Sequence, residues 1–288
     1  MFKILTLGDM QDYELLDSGN QQRLERFGSY IISRPDPQLV WKPYLDENEW
    51  DKADAVFRRT SESKGKWEMD EKMPEKWVMH YKDLSFYAKL TPFKHTGVFP
   101  EQALHWEWIK EKIENAKKPA NVLNLFAYTG ISSLVCASAG ANVTHVDSSH
   151  PTIGWARANQ TASKLDKAPI RWILDDVVKF VQREVRRGSK YDAIIMDPPV
   201  YGRGPKGEIW SFNESFPYLM EDCAQLLTKN PLFVLVNAYA ISSSALTLEN
   251  VLMDYLPTGN MECGELCLKE KSAKRLLSTG IFARWSVK

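Results

Sequence analysis

The chain has 288 residues, with Lys+Arg and Asp+Glu equal at 37 each and hydrophobic residues at 44%. That is ample for one large or two modest domains with a full core, and zero formal charge excludes a global basic field, so any nucleic-acid partner must be held by a local patch. No apolar run nears the ~20 residues of a membrane span, the first residues form no signal peptide, and Cys136, Cys223, Cys263 and Cys267 contain no CxxC pair; reduced, mostly buried thiols, a cytoplasmic location and no metal site are expected.

Residues 1–93 carry short extended runs at 2–7, 29–33 and 77–90, separated by polar turns and interrupted by a helical stretch over 46–59. This texture predicts a small β-rich N-terminal domain, a candidate substrate-binding module. Over 94–288 strands alternate with helices, the signature of a parallel sheet built from βαβ units. Strands are expected at 121–126, 142–147, 170–174, 191–196 and 232–237, with helices at 131–139, 151–164 and 177–187. The tail, 261–269 and 276–285, reads as a closing antiparallel pair. The fold class is therefore α/β: a doubly wound, mostly parallel sheet with a smaller β-rich domain.

The stretch Ile194-Ile195-Met196-Asp197-Pro198-Pro199-Val200-Tyr201-Gly202 is the most informative in the chain. An apolar strand ends in an acid, two prolines and an aromatic. Each proline fixes its φ and lacks an N–H, so the strand ladder cannot continue. The result is a stiff elbow at a strand's carboxyl end, where open α/β sheets bind ligands. Asp197 and the Pro198 carbonyl can hold an amine or base edge there, while Tyr201 can stack on a planar ring.

Upstream, Val122-Leu123-Asn124-Leu125-Phe126-Ala127-Tyr128-Thr129-Gly130 runs from a strand into a helix start, where unpaired N–H groups can receive a ligand. Only Gly130 stands where a dinucleotide fingerprint needs three glycines, and bulky Phe126 and Tyr128 suit a ligand without phosphates. Asp147 ends the next strand and can accept both hydroxyls of a ribose. Asp175-Asp176 ends the third and can receive an exocyclic adenine amine. Each acid alone also fits a helix N-cap. A row of such residues along one sheet edge is harder to obtain by chance.

At this point the chain resembles the class I S-adenosylmethionine-dependent methyltransferases. More narrowly, it is similar to the bacterial 23S ribosomal RNA methyltransferase family that modifies cytosine C5 or guanine N7. The matching segments are Tyr13-Glu14-Leu15-Leu16-Asp17-Ser18-Gly19 with Arg23-Leu24-Glu25-Arg26-Phe27-Gly28, His95-Thr96-Gly97-Val98-Phe99-Pro100-Glu101-Gln102, Asn124 to Gly130, Asp197-Pro198-Pro199 with Tyr201-Gly202-Arg203-Gly204, and Arg275-Leu276-Leu277-Ser278-Thr279. The elbow itself resembles the Asp/Asn-Pro-Pro-aromatic loop of nucleic-acid amino-methyltransferases. By resemblance, Phe99 to Gln102 and Asn124, Phe126, Tyr128 and Gly130 flank the methionine part of the cofactor. Asp147 would hold the ribose and Asp176 the adenine, and Asp197 would serve both cofactor and acceptor. The implied partner is RNA, most directly large-subunit ribosomal RNA.

Two departures shape the expected chemistry. Residues 1–93 do not match the pseudouridine-synthase-type RNA-binding domain typical of the cytosine branch. Cytosine C5 also needs a thiolate to add to the ring before it is nucleophilic. The places for that thiol, after Asp-Pro and on the fifth strand, hold Pro199 and Asn237-Ala238-Tyr239. A base nitrogen with its own lone pair needs mainly alignment. Beyond the elbow, Arg203 and Lys206 suit phosphates and Trp210 is placed to stack on a base. A methyltransferase for a protein or small molecule, a nicotinamide-dependent oxidoreductase sharing the βαβ unit, and a non-catalytic RNA-binding module remain alternatives.

Overall fold

The computed structural model describes residues 2–59, 65–204, 207–239 and 242–287. They form two compact units, one from Met1–Leu5, Gln102–Leu266 and Ser278–Lys288, the other from Thr6–Glu101 and Cys267–Leu277. Both are discontinuous in sequence, so no single cut at 93/94 separates them.

Strand β1 (Phe2–Thr6) opens the chain. The β-rich unit carries β2 (Tyr13–Gly19), β3 (Gln22–Phe27), β4 (Tyr30–Pro35), the one-turn helix α1 (Glu47–Trp50), β5 (Ala55–Arg59) and β6 (Gly65–Met69). Its sheet runs β2-β3-β4-β5-β6. The expected helix over 46–59 is thus corrected to a single turn and a strand. Asp46 caps the turn by accepting from Glu49 N, but the chain leaves the helix at Asp51. Ala55 and Phe57 are buried in alternation, so the segment pairs with β4 and β6. The run expected over 77–90 turns back at Lys82, φ 49°, giving the hairpin β7 (Trp77–Tyr81) and β8 (Leu84–Ala88).

This unit buries an ion network. Glu25 is fully buried; it receives Arg34 Nε and Nη2 at 2.5 and 2.9 Å and the Tyr13 hydroxyl at 2.8 Å. Arg23 pairs with Asp36 beside it. The guanidinium of Arg34 leads the forces that hold the Glu25 carboxyl below its usual range against the cost of burial.

The second unit continues with α2 (Ala103–Glu114), β9 (Asn121–Leu125), α3 (Ile131–Ser138), β10 (Asn142–Asp147), α4 (His150–Ala162), β11 (Ile170–Leu174) and α5 (Val177–Arg187). Then come β12 (Ala193–Met196), the hairpin β13 (Tyr201–Arg203) and β14 (Ile209–Ser211), α6 (Phe212–Gln225), β15 (Phe233–Ala238), α7 (Ala245–Tyr255), β16 (Asn260–Lys269) and β17 (Leu276–Ser286). The main sheet has eight strands in the order β1-β16-β17-β15-β12-β9-β10-β11. From β15 to β11 every pairing is parallel, whereas β17 runs antiparallel to β15.

Burial explains the arrangement. β12 and β15 are buried at every position, and β9 at all but its first, as expected of parallel strands covered on both faces. Helix α5 shows the complementary logic: Val177, Phe180, Val181 and Glu184 turn one stripe inward. Asp176 caps its start, and Gly188 ends it in the left-handed region.

Candidate active site

The strand order reverses at β9, with β10 on one side and β12 on the other. Open α/β sheets bind ligands at such a switch point, outside the strands' carboxyl ends. Asn124 is level with His145 on β10 and Ile195 on β12. The next two residues of each strand therefore bring Phe126, Asp147 and Asp197 to one edge.

Immediately after β9 the chain is strained. Phe126 and Tyr128 adopt φ of 52° and 49°, and Gly130 φ of 81°. Left-handed backbone at a bulky residue is uncommon and persists only where surroundings impose it. Here Ala127 N binds Val146 O at 3.1 Å and Tyr128 N binds Asp147 Oδ2 at 2.9 Å. Gly130 has a second reason to be glycine, because a Cβ would lie 2.9 Å from Ala156 Cβ. Helix α3 then starts without a side-chain cap, leaving its first N–H groups for a ligand.

Asp147 is the keystone of this turn. Its Oδ1 accepts from Ser149 N and its Oδ2 from Tyr128 N, each at 2.9 Å. Burial raises its pKa, with those N–H bonds opposing. Each oxygen retains acceptor capacity for a hydroxyl. Asn124 is buried, with Nδ2 on Ser133 Oγ at 2.9 Å, and that oxygen lies 3.0 Å from His145 Nδ1. It therefore braces the sheet beneath the turn. Burial drives His145 and His105 down to about 3, so both are neutral core histidines near pH 7.

Asp176 Oδ1 accepts from Lys179 N at 2.9 Å as the α5 cap. Its other oxygen faces Gly204, where a Cβ would lie 2.9 Å away. Phe99 belongs to the β-rich unit, its ring 5.4 Å from that of His95.

At the elbow, Asp197 is half-buried between two amides. Asn237 Nδ2 donates to Oδ1 at 2.9 Å, and Gln102 Nε2, from the start of α2, donates to Oδ2 at 3.2 Å. Burial pushes the carboxyl up to about 6, against the Asn237 bond. In the sequence Asn237 stands out only as a position without a thiol; the signal for its role is a polar residue inside an otherwise apolar strand.

Beyond Pro199 the expected loop is the hairpin β13–β14, with Tyr201 opposite Ser211, Gly202 opposite Trp210 and Arg203 opposite Ile209. Period-two alternation sends Gly202 and Trp210 to one face and the other pairs to the opposite face. Tyr201 and Ile209 are accordingly 54% and 68% exposed, whereas Trp210 is 6% exposed. Trp210 is thereby corrected: its Nε1 donates to Pro199 O at 2.6 Å and its ring packs on Phe126, so it is not presented to a base. Arg203 is exposed. Lys206 lies outside the described residues. All four cysteines are buried thiols outside any disulfide, and burial raises the thiol pKa of Cys136 and Cys223.

A family model described as S-adenosylmethionine-dependent methyltransferase matches residues 47–251. The chain belongs to that family. The methyltransferase is 41% identical to the SAM-dependent methyltransferase from Agrobacterium tumefaciens, covering 99% of this chain and 94% of that one with a TM-score of 0.95. It is also 31% identical over 147 residues to ribosomal RNA large subunit methyltransferase K/L of Shewanella frigidimarina, which is 50% of this chain and 20% of that enzyme. Against ribosomal RNA large subunit methyltransferase K of Neisseria meningitidis serogroup B, identity is 23% over 228 residues, 76% of this chain and 63% of the relative. The methyltransferase thus matches less than two thirds of either curated relative.

S-adenosylmethionine is the cofactor, and the residues present suit it. The strained turn, the uncapped α3 start and the Asp147 carboxylate offer N–H donors and hydroxyl acceptors, without the glycine-rich turn that a dinucleotide pyrophosphate requires. The nicotinamide reading falls with that assignment. Among the described residues no helix is long and apolar enough to cross a membrane, and no cluster of three or more His, Cys, Asp or Glu is arranged to hold a metal ion.

Proposed function

We propose that this methyltransferase acts in the cytoplasm on RNA, at a base nitrogen of large-subunit ribosomal RNA. The observation that carries the reading is the Asp197 carboxylate, fixed by Gln102 and Asn237 at a Pro-Pro elbow and followed by an exposed Tyr201. The relatives named as large-subunit ribosomal RNA methyltransferases favour the same substrate class.

When bound, S-adenosylmethionine supplies an electrophilic methyl group on a sulfonium. Asp147 would hold the ribose hydroxyls, the turn from Phe126 to Gly130 would hold the methionine portion, and Asp176 would serve the adenine amine. Asp197 and the Pro198 carbonyl would accept N–H groups from the base edge and so aim the nitrogen lone pair along the methyl–sulfur bond, which breaks as the C–N bond forms and leaves S-adenosylhomocysteine. With its pKa near 6, Asp197 is an acceptor at neutral pH and can take the proton that an exocyclic amine releases. Extruding a base costs a few kcal/mol, and stacking on Tyr201 returns about 1–3 kcal/mol. Arg203 and Lys206 supply cations for phosphates. Cysteine-assisted carbon methylation is disfavoured because both candidate thiol positions lack one.

The test is methyl-labelled cofactor offered to total RNA, protein and small molecules from cells lacking the enzyme. Label at one base of large-subunit ribosomal RNA is expected. Label confined to protein or small molecules would overturn the RNA assignment.

A further inference from the structure

Trp210 stands between two parts of the site that have separate tasks. Its ring meets that of Phe126 at 4.9 Å between centroids, tilted by 58°. Its Nε1–H donates to Pro199 O at 2.6 Å. Phe126 is the first strained residue of the cofactor turn, and Pro199 is the second proline of the acceptor elbow. The Pro-Pro segment ends the sheet ladder, so this carbonyl finds its donor in a side chain.

The surroundings leave the indole little freedom. Trp210 belongs to the same buried cluster as Leu125, Met196, Phe212 and Phe216, with Phe126 packed against it. One residue further, Phe212 N donates to Val200 O at 2.9 Å. Directly across the hairpin sits Gly202, where a Cβ would contact Pro199 Cγ at 3.4 Å and Trp210 Cβ at 3.8 Å. At the far end of the hairpin Glu208 pairs with Lys179 on α5. Strand β14 is therefore tied to the elbow through Trp210, and Glu208 just before it is tied to α5.

We infer that Trp210 is a positioning residue that transmits the setting of the cofactor turn, through Phe126, to the acceptor elbow, through Pro199. This extends the proposed function and rests on it for the roles of turn and elbow. A shift of Phe126 on cofactor binding moves the indole, and the indole moves the Pro199 carbonyl, two residues from Asp197. Since displacements near 1 Å can cost on the order of 100-fold in rate, such a brace sets methyl transfer without touching substrate.

Trp210→Phe keeps a ring against Phe126 but removes the N–H to Pro199 O. It should bind S-adenosylhomocysteine within about two-fold of wild type while kcat per folded enzyme falls roughly ten-fold. Trp210→Ala should lose both cofactor affinity and kcat. A purely structural role would lower Tm in both variants but leave kcat per folded enzyme unchanged below the transition. A second readout needs no acceptor. With 5-fluorotryptophan incorporated, the resonance missing from Trp210→Phe should shift when S-adenosylhomocysteine is added to the wild-type protein. The Phe126→Leu variant should reduce that shift.

The inference is overturned if that resonance stays still at saturating S-adenosylhomocysteine, or if Trp210→Phe transfers methyl at the wild-type rate. Failure of the RNA reading looks different. Label would then enter a non-RNA fraction, and the Trp210→Phe comparison on that fraction would still decide the role of the brace.

Discussion

Asn237 Nδ2 donates to Asp197 Oδ1 at 2.9 Å, joining the ends of two neighbouring parallel strands, β15 and β12. The bond opposes burial in the ionisation of the elbow carboxylate. Burial pushes Asp197 up to about 6, and the Asn237 amide holds it from rising further. Activity that needs the carboxylate should fall as pH drops through about 6. Asn237→Ala should move that acid limb upward, and Asp197→Asn should lose both the limb and most turnover while sparing cofactor affinity. Stability has the opposite sign: a carboxyl raised in the folded state favours folding at low pH, an advantage lost as pH rises through about 6. Asp197→Asn should therefore gain stability over wild type as pH rises from 5 to 8. Rate–pH profiles and urea titrations at both pH values check both halves, and a profile flat across pH 5–8 would remove Asp197 from the chemistry.

Asp147 both binds the ribose in the proposed site and holds the turn through Tyr128 N and Ser149 N. Asp147→Ala should weaken S-adenosylmethionine and S-adenosylhomocysteine together by about 1.5–3 kcal/mol, the scale of a lost hydrogen-bond pair to a charged group. Asp147→Asn should be milder, since one acceptor oxygen remains. Calorimetry measures each, and NAD should give no heat. NAD binding with no S-adenosylmethionine binding would falsify the cofactor assignment.

No cysteine is expected to act as a nucleophile. Cys136 and Cys223 are fully buried with raised pKa, and burial leads in raising Cys263 to about 11. Replacing all four by Ala should lower stability through lost packing and leave turnover of the folded enzyme within a few-fold. A covalent adduct between 5-fluorocytosine RNA and Cys136 or Cys223 would refute this.

Tyr201 and Arg203 point outward from β13, where Trp210 on β14 points inward. Tyr201→Ala should weaken RNA binding or turnover by the ~1–3 kcal/mol of a lost stack, with Tyr201→Phe nearly silent. Arg203→Ala and Lys206→Ala should each reduce binding and flatten its salt dependence by about one phosphate contact. Binding isotherms at several salt concentrations separate the two effects. Equal losses for the Ala and Phe variants of Tyr201 would assign the effect to the hydroxyl.

In the β-rich unit, Arg34→Met should destabilise the fold by about 3–5 kcal/mol, because it strands the fully buried Glu25 carboxylate. The double change Arg34→Met with Glu25→Gln should recover part of that loss in urea unfolding.

The parallel-sheet half of this protein is legible in the order of its residues. Strands such as Ala193–Met196 and Phe233–Ala238 are continuous apolar runs because both faces are covered, and an acid or amide at the end of such a run marks the ligand-binding edge. The Asp-Pro-Pro elbow was legible because proline's constraints are local. Segment 46–59 was not, since its Ala55–Arg59 strand owes its conformation to pairing on both sides, with β4 and with β6, which nothing inside the segment signals. The inward direction of Trp210 likewise emerges only in the folded hairpin. Its alternation phase depends on hairpin pairing, and one residue of slip would have presented the indole to solvent and buried Tyr201 or Arg203. Asp197's company was decided the same way: Gln102 and Asn237 are 95 and 40 residues away in sequence, and only the folded sheet and α2 bring their amides to one carboxylate.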